Sequence, residues 1–239
     1  QMCIRDSNKH SMKRVRISFW VMFFFGLLFS SCGGNEGADL SNTSLTKVPF
    51  ADDVRLAHKY QEGDVVFLGD ERLRCCNWQG VIQGVRIVNS AVGNHSIQEE
   101  LSVLHERFGG ATPSKIVLML GYAELDAGVA ANEVFELYAK YVEGLQELLP
   151  QTEIVTITQL PVGCFLKYGN SKVTNEVLDA YNVLVKVHAQ EKGCTVVDLN
   201  RDFKNENGFL KSEYDASDGF HLYSRAYEVW AYRLNGILN

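Results

Sequence analysis

Two carboxylates and one imidazole in this chain have the residue types that proton-transfer chemistry requires. Asp218 and His221 are three residues apart across a Gly, a spacing at which the carboxylate can orient the imidazole as a base. Taken alone, such an Asp-Gly-x-His segment is as often a turn with a capping Asp. Glu71 follows Gly69 and Asp70 directly after an apolar run. These residues indicate an acid–base site if the fold brings Glu71 to His221.

The elements that must position these residues alternate along the chain. Short apolar, β-branched runs predict five strands: Val65–Leu68, Val85–Asn89, Lys115–Leu120, Glu153–Thr158 and Thr195–Leu199. Helical patterns lie at Glu71–Gln79, Ile97–Phe108, Asn132–Leu149, Val173–Gln190 and Ser224–Leu238. Apolar strands joined by crossover helices form a parallel sheet that is covered on both faces. We therefore predict one three-layer α/β/α domain with a five-stranded parallel sheet over residues 50–239.

The loops that follow the strands carry the unusual residues. The carboxyl ends of parallel strands share one edge of a sheet, where open α/β folds keep their sites. Four segments belong to this edge: Gly69–Glu71, Asn89–His95, Gly121–Glu124 and Asp218–Leu222. We expect their side chains to form one cleft.

These four segments, in this order, resemble the SGNH hydrolase superfamily, also called the GDSL esterases and lipases. The resemblance runs from Val65 through the last predicted helix and includes segments 118–121, 159–162 and 198–199. It implies a flavodoxin-like fold. The subgroup that the chain resembles most is the bacterial secreted esterases related to platelet-activating-factor acetylhydrolase and to carbohydrate acetylesterases.

The resemblance assigns roles to residues in each segment. In the family, the first segment supplies a nucleophilic Ser and the last supplies an acid and a base, here Asp218 and His221. The oxyanion hole of the family draws on the Ser N–H, a Gly of the second segment and an Asn of the third. Gly93 or Asn94 falls at that Gly position, depending on a shift of one residue.

Two of the family's positions have changed in this chain. Glu71 stands where the family has Ser, and Ala123 stands where it has Asn, between Tyr122 and Glu124. A carboxylate could attack an ester only through a mixed anhydride. Near His221 it would instead form a salt bridge that keeps the imidazole protonated. Losing one oxyanion-hole donor costs about 2.7–4 kcal/mol in transition-state stabilisation.

Two functions remain open. The first is a degenerate homologue that binds a carbohydrate or acyl-bearing ligand without Ser-based catalysis, and we favour it because both Ser and Asn are replaced. The second is an active esterase on acetyl, carbohydrate or lipid esters, in which His221 and Asp218 act with a non-standard nucleophile or an activated water. Other groups near the site have both functional and structural interpretations. Ser90 and Ser96 are candidate nucleophiles or ordinary loop and cap residues, and His95 either lines the cleft or lies in solvent.

We expect no metal and no cofactor. Glu71, Glu124, Asp218 and His221 include the side-chain types that bind metals, but their positions follow the family pattern rather than a metal-binding one. The same carboxylates could in principle act as the acid and the base in the hydrolysis of a glycosidic bond. Trp78, Tyr122 and Phe220 are expected near the cleft, where they either stack on a sugar ring or acyl chain or serve in packing.

The N-terminal region has the features of a lipoprotein signal peptide. Residues 12–16 are basic after Met12, residues 17–29 are apolar, and Ser30-Ser31-Cys32 resembles a bacterial lipobox. We expect Cys32 to carry a lipid anchor in the bacterial cell envelope; the alternative is an ordinary signal peptide cleaved nearby. Residues 1–11 are interpreted as an artefactual extension and residues 33–49 as a flexible tether.

Composition excludes some partners. The formal net charge is −6, with 46% apolar and 22% charged residues, so nucleic acid is not an expected partner. Four cysteines fall in the predicted domain, at positions 75, 76, 164 and 194, and none has zinc-ligand spacing. Either Cys75 or Cys76 forms a disulfide with Cys164, or these thiols are free. The sequence does not predict the oligomeric state.

Overall fold

A computed structural model describes residues 60–170 and 172–239. The five strands are β1 Val65–Gly69, β2 Ile87–Asn89, β3 Lys115–Met119, β4 Glu153–Ile157 and β5 Thr195–Val197. They form one parallel sheet in the order β2-β1-β3-β4-β5. The predicted α/β fold with a five-stranded parallel sheet is therefore confirmed. The signal peptide, Cys32, the tether and the extension at residues 1–11 lie outside the described residues.

The described part of the chain also contains eight helices. They are α1 Glu71–Arg74, α2 Trp78–Val81, α3 Ile97–Val103, α4 Tyr122–Ala127, α5 Ala131–Leu148, α6 Asn175–Glu191, α7 Leu199–Phe203 and α8 Ser224–Leu238. Within the described ranges, none of them is both long and apolar enough to cross a membrane.

The sheet is covered on both faces because its strands are apolar on both sides. Along β1, Val66 and Leu68 point into one core, which also contains Tyr138 of α5 and Tyr181 of α6. Val65 and Phe67 point into the other core, together with Trp78 and with Trp230 and Leu234 of α8. Alternating side chains of one strand thus contribute to two separate cores. Three layers result.

The predicted helix Glu71–Gln79 is wrong in its length, because the structure divides it into α1 and α2. The side-chain amide of Asn89, at the end of β2, donates to the carbonyls of Leu73, Arg74 and Cys76. These acceptors are turned towards β2, so the helical ladder cannot run through them. The break fixes the end of α1 against the neighbouring strand.

Other differences from the prediction concern the end of one helix and two short helices. Helix α3 ends at Val103 rather than Phe108, and residues 104–110 continue as turns. Helices α4 and α7 were not predicted, because segments of five or six residues have too few turns to show a helical period. Helix α3 begins with a complete capping box between Ser96 and Glu99, which satisfies two otherwise unpaired groups at the helix start.

The strand order places a crevice at the middle of the sheet. The chain passes from β1 outward to β2 and then returns to β3 on the other side of β1. Connections therefore leave the carboxyl ends of β1 and β3 towards opposite sides, which opens a cleft between them. Helix α1 follows β1 and helix α4 follows β3, so Glu71 and Ala123 both lie at this opening.

Candidate functional site

The turn from β1 into α1 determines where Glu71 stands. Gly69 must lack a side chain, because a Cβ would overlap the carbonyl oxygen of Met119 and the side chain of Leu73. The buried Asp70 is the N-cap, and its Oδ1 accepts a hydrogen bond of 3.2 Å from the backbone N–H of Arg72. Glu71 is consequently the first residue of α1, at the carboxyl edge of the sheet.

The Asp70 carboxyl is buried, and this burial raises its pKa from 3.8 to about 6 despite the nearby charge of Arg72. The folded state therefore binds the proton more tightly than the unfolded chain does. The stability from this group is fully present below about pH 4 and is lost as the pH rises through about 6.

We expect Asp70→Asn to remove this loss while keeping the N-cap, since Asn caps helices as well as Asp does. Urea unfolding between pH 4 and pH 7 measures the unfolding free energy of both proteins. The value for the variant should exceed that for the wild type by an amount that increases with pH. The exposed Glu206→Gln serves as a control and should give no such trend. A pH-independent difference for Asp70→Asn would contradict the expectation.

Asp218 and His221 form a close pair on a tight turn. Gly219 has a φ of +80°, a conformation that glycine adopts without strain. The Asp218 carboxylate accepts the backbone N–H of Phe220 at 2.9 Å and of His221 at 2.8 Å, and its Oδ2 lies 2.5 Å from His221 Nδ1. Burial acts to raise the pKa of Asp218, but these hydrogen bonds hold it below the ordinary value. Contact with Nδ1 leaves Nε2 directed to Glu71.

Glu71 pairs with Arg74 rather than with His221. Arg74 Nε donates to Glu71 Oε2 at 2.9 Å and Arg74 Nη2 donates to Oε1, while the Cys75 thiol donates to Oε1 at 3.2 Å. Burial acts to raise the pKa of Glu71, and the Arg74 hydrogen bonds and charge hold it below the ordinary value. His221 Nε2 is 4.0 Å from Oε1. The expected close Glu71–His221 salt bridge is therefore replaced by a same-helix pair at the i, i+3 spacing.

The Glu71 carboxylate rests on Gly93. A Cβ at Gly93 would overlap Glu71 Oε2, so the carboxylate fits there only because residue 93 is Gly. Its neighbour Asn94 has a positive φ of 51° and lines the cleft. The carboxylate thus occupies the space beside Gly93, one of the two residues, with Asn94, that the family resemblance associates with the oxyanion hole.

The side chains of the segment Gly121–Glu124 lie in two different places. Tyr122 and Ala123 line the cleft. The side chain of Glu124 instead turns to α3, where its Oε1 accepts a hydrogen bond of 2.6 Å from the backbone N–H of Ile97. Glu124 therefore secures the start of α3, and it is not among the residues that line the cleft. The four-residue metal set considered from the sequence is not assembled.

The cleft has a volume of about 310 Å³. Its lining residues are Asp70, Glu71, Asn94, Tyr122, Ala123, Asp126, Tyr168, Gly169 and Asn170. Asp126 Oδ2 accepts the backbone N–H of Asn170 at 2.6 Å. Within the described ranges, the buried Tyr122 hydroxyl and Asp126 Oδ1 have no hydrogen-bond partner. Both atoms are shielded from solvent, so they lie in the wall of the cleft beneath its surface.

Tyr122 and Tyr168, which line this opening, pack against the buried ring of Phe220. The ring centroids of Tyr168 and Phe220 lie 4.1 Å apart with 6° between the ring planes. Those of Tyr168 and His221 lie 4.7 Å apart in a T-shaped arrangement. Tyr122 packs against Phe220 at 4.5 Å. Trp78, which the sequence suggested near the opening, is instead buried in the core beneath the sheet.

Arg72 is an organising residue that the sequence prediction missed. It is completely buried and donates to three carbonyls, those of Leu160, Pro161 and Phe220, at 2.8 to 2.9 Å. Its guanidinium also lies 4.2 Å from the centre of the Phe220 ring. One side chain thus connects α1 to the loop after β4 and to the turn that carries His221. No local signal reveals this, because an Arg in the first turn of a helix is usually exposed.

The other candidates have structural roles. His95 is buried, contrary to both of its predicted positions, and its Nε2 lies 2.9 Å from Glu100. Ser90 Oγ lies 2.8 Å from the Tyr60 hydroxyl, and Ser96 caps α3. The four described cysteines are free thiols, so the alternative with a disulfide to Cys164 is not what the structure shows.

Comparisons with known proteins identify the family of this chain. The model of the GDSL-like lipase/acylhydrolase family matches residues 71–229. Since the match covers more than half of the chain, the protein belongs to that family. No curated protein matches the sequence.

Solved structures share the fold across nearly their whole length. A protein from Streptococcus pneumonia described as a platelet activating factor has a TM-score of 0.70 and 24% identity, with 79% of this chain and 91% of that chain covered. An acylhydrolase from Bacteroides fragilis has a TM-score of 0.67 and 17% identity, covering 86% and 98%. A mutant acetyl-xylooligosaccharide esterase from Geobacillus has a TM-score of 0.59 and 16% identity, covering 76% and 97%. At these identities the likeness is one of fold.

Proposed function

We propose that this protein binds a small carbohydrate or acyl-bearing molecule in the cleft and does not hydrolyse esters through a Ser nucleophile. The observation that carries the proposal is the position of the Glu71 carboxylate. It stands at the start of α1, pairs with Arg74 and fills the space beside Gly93.

The chemistry of this arrangement opposes the usual mechanism. His221 can act as a base only on a group that has a proton to give, and Nε2 faces an ionised carboxylate oxygen at 4.0 Å. Ala123 offers no side-chain donor to an oxyanion. The space in which such an oxyanion would gain hydrogen bonds beside Gly93 already holds negative charge.

The cleft itself suits a hydroxylated ligand. Its volume of about 310 Å³ lies at the lower end of the range for small-molecule sites. The unpartnered Tyr122 hydroxyl and Asp126 Oδ1 are shielded from solvent. A small side-chain movement would let the hydroxyl donate a hydrogen bond and the carboxylate oxygen accept one, a combination that matches the hydroxyl groups of a sugar. The Tyr168 ring lies at the same opening. A structural relative described as an acetyl-xylooligosaccharide esterase supports this class of ligand.

The proposal includes export and anchoring. The basic segment 12–16, the apolar segment 17–29 and the Ser30-Ser31-Cys32 sequence support a lipid anchor on Cys32 and a place in the bacterial cell envelope. Radiolabelled palmitate incorporated into the wild type, and not into Cys32→Ser, would establish the anchor. Equal labelling of both would contradict it.

A paired assay of hydrolysis and binding tests the function. With the full chain in non-ionic detergent, we expect wild type to cleave an aryl acetate no faster than His221→Ala does. A panel of oligosaccharides and acetylated sugars should raise the melting temperature of the wild type.

A conservative variant connects that binding to the cleft. Tyr122→Phe should weaken binding by about two- to tenfold, the effect of one neutral hydrogen bond. Tyr232→Phe, at an 82% exposed position, is the matched control and should bind as wild type does. Equal affinity of all three proteins would place the ligand elsewhere.

One observation favours a second function, that of an active hydrolase. The Asp218–His221 pair is intact, and the His221 side chain is 32% exposed, so Nε2 can reach a water molecule. In that case, wild type would hydrolyse the aryl acetate and His221→Ala would abolish the activity.

A further inference from the structure

We propose that Glu71, Cys75 and His221 form a binding site for a divalent metal ion of the zinc type. The ligand atoms of these three residues, one from each, all lie within 4.8 Å of one another. This set differs from the four residues that the sequence suggested, because Cys75 takes part and neither Glu124 nor Asp218 is a ligand. The inference does not depend on the identity of the cleft ligand.

The three ligand atoms would have to move only a little to bind one metal ion. Cys75 Sγ lies 3.2 Å from Glu71 Oε1, and Oε1 lies 4.0 Å from His221 Nε2. Ligands that bind one tetrahedral zinc at about 2.0 to 2.3 Å are about 3.2 to 4.0 Å from each other. Shifts of less than about 1 Å would bring the three atoms to those separations.

The local fold places two of the ligands together. Glu71 begins α1, and Cys75 is its C-cap, four residues later, so both side chains leave the same face of one helical turn. His221 reaches this face from the segment that Arg72 holds against α1. Two ligands from one turn and a third from a distant loop are thereby brought to one point.

Asp218 completes the arrangement behind the imidazole. Its contact of 2.5 Å with His221 Nδ1 leaves Nε2 as the atom available for coordination. Metal-binding histidines commonly hydrogen-bond a carboxylate through their second ring nitrogen, which fixes the ring and increases its basicity. With a carboxylate at residue 71 as a further ligand, His221 is placed to bind a metal ion and Asp218 to orient its ring.

The ligand types select the metal. Thiolate, imidazole and carboxylate together suit Zn²⁺ better than Mg²⁺ or Ca²⁺, which take oxygen ligands. Three protein ligands leave a fourth position for water or for an oxygen of the cleft ligand. On binding, the Cys75 thiol loses its proton to solvent, because a coordinating thiol is deprotonated.

Arg74 competes with the metal for Glu71. Its guanidinium occupies both carboxylate oxygens, so a metal at Oε1 must displace the Nη2 contact, while the Nε contact with Oε2 can remain. This competition gives the proposal a distinctive consequence. Removing Arg74 should tighten metal binding, whereas removing any of the three ligands should weaken it.

Titration of the full chain with Co²⁺, in detergent and with a phosphine reductant, tests the site by absorption spectroscopy. We expect one equivalent to bind with a thiolate-to-cobalt charge-transfer band, and one equivalent of Zn²⁺ to displace it. Cys75→Ser should lose the band, and Asp218→Asn should bind about 10- to 100-fold more weakly. Arg74→Ala should bind about two- to fivefold more tightly, the factor that corresponds to one partly exposed ion pair.

Cys164→Ser is the matched control, since Cys164 is an exposed free thiol in the described part of the chain, and it should keep the band. No saturable binding, a band that persists in Cys75→Ser, or a band lost in Cys164→Ser would each overturn the proposal. Circular dichroism establishes that the variants are folded. Should Cys75→Ser fail to fold, Arg74→Ala decides: tighter binding supports the site, and unchanged affinity overturns it.

Discussion

The double variant Glu71→Ser/Ala123→Asn is expected to hydrolyse an aryl acetate, whereas the wild type does not. The first substitution would place a hydroxyl at the start of α1, with His221 Nε2 facing it and Asp218 orienting the ring. The space beside Gly93 would no longer hold a carboxylate. The variant would thus combine a nucleophile, a base and an emptied oxyanion position.

The two substitutions should contribute unequally. Glu71→Ser supplies the nucleophile and should give slow turnover on its own. Adding Ala123→Asn supplies a side-chain donor for the oxyanion, and the loss of one such donor costs about 10²- to 10³-fold in kcat. We therefore expect the double variant to exceed Glu71→Ser by about that factor. Steady-state kcat and KM for each variant measure the difference.

Matched variants show whether the activity uses the family's machinery. Glu71→Ala/Ala123→Asn has the donor without the nucleophile and should be silent. Adding His221→Ala to the double variant should abolish its turnover. If Glu71→Ser/Ala123→Asn were folded and inactive, the rest of the cleft would no longer support ester hydrolysis, and the structural resemblance of the Asp218–His221 pair would carry no catalytic meaning.

Arg72→Met is expected to lower the free energy of unfolding by about 3–5 kcal/mol, a large part of the stability of a typical domain. Met keeps much of the side-chain volume but cannot donate hydrogen bonds. The carbonyls of Leu160, Pro161 and Phe220 would lose their buried donor. Each buried acceptor that is left unpaired costs about 1–3 kcal/mol.

Chemical denaturation of Arg72→Met and Arg225→Met separates this effect from the loss of one positive charge. Arg225 is exposed, and its replacement should change stability by no more than about 0.5 kcal/mol. Equal effects of the two substitutions would show that the three carbonyl contacts contribute nothing. Because Arg72 also holds the turn that carries His221, its replacement should weaken binding at the proposed metal and ligand sites and destabilise the fold.

Features that depend on neighbours in the chain could be predicted from the sequence. The strands are continuous apolar runs because both faces of the sheet are covered, and this requirement is visible residue by residue. The Asp218–His221 contact spans three residues on a tight turn, so the local backbone determines it. The face of α8 that carries Tyr227, Trp230 and Leu234 is buried as its helical period predicts.

The partners of the long charged side chains could be determined only from the tertiary structure. The sequence placed Glu71 near His221, but the closer partner is Arg74, one turn along the same helix. Glu124 turns to the start of α3 rather than to the cleft. Charged side chains are long and usually solvated, so their sequence positions do not show when packing directs them inward.

The buried Arg72 and His95 illustrate the same limit. Arg72 is paired with carbonyls 88 and 148 residues away, and His95 packs against Glu100 inside the fold. The sequence by itself determined the class of fold and the residues at the edge of the sheet, because hydrophobic periodicity is a local property. Tertiary structure alone decided how the charges at that edge pair, because ion pairing depends on distances that only the packed layers set.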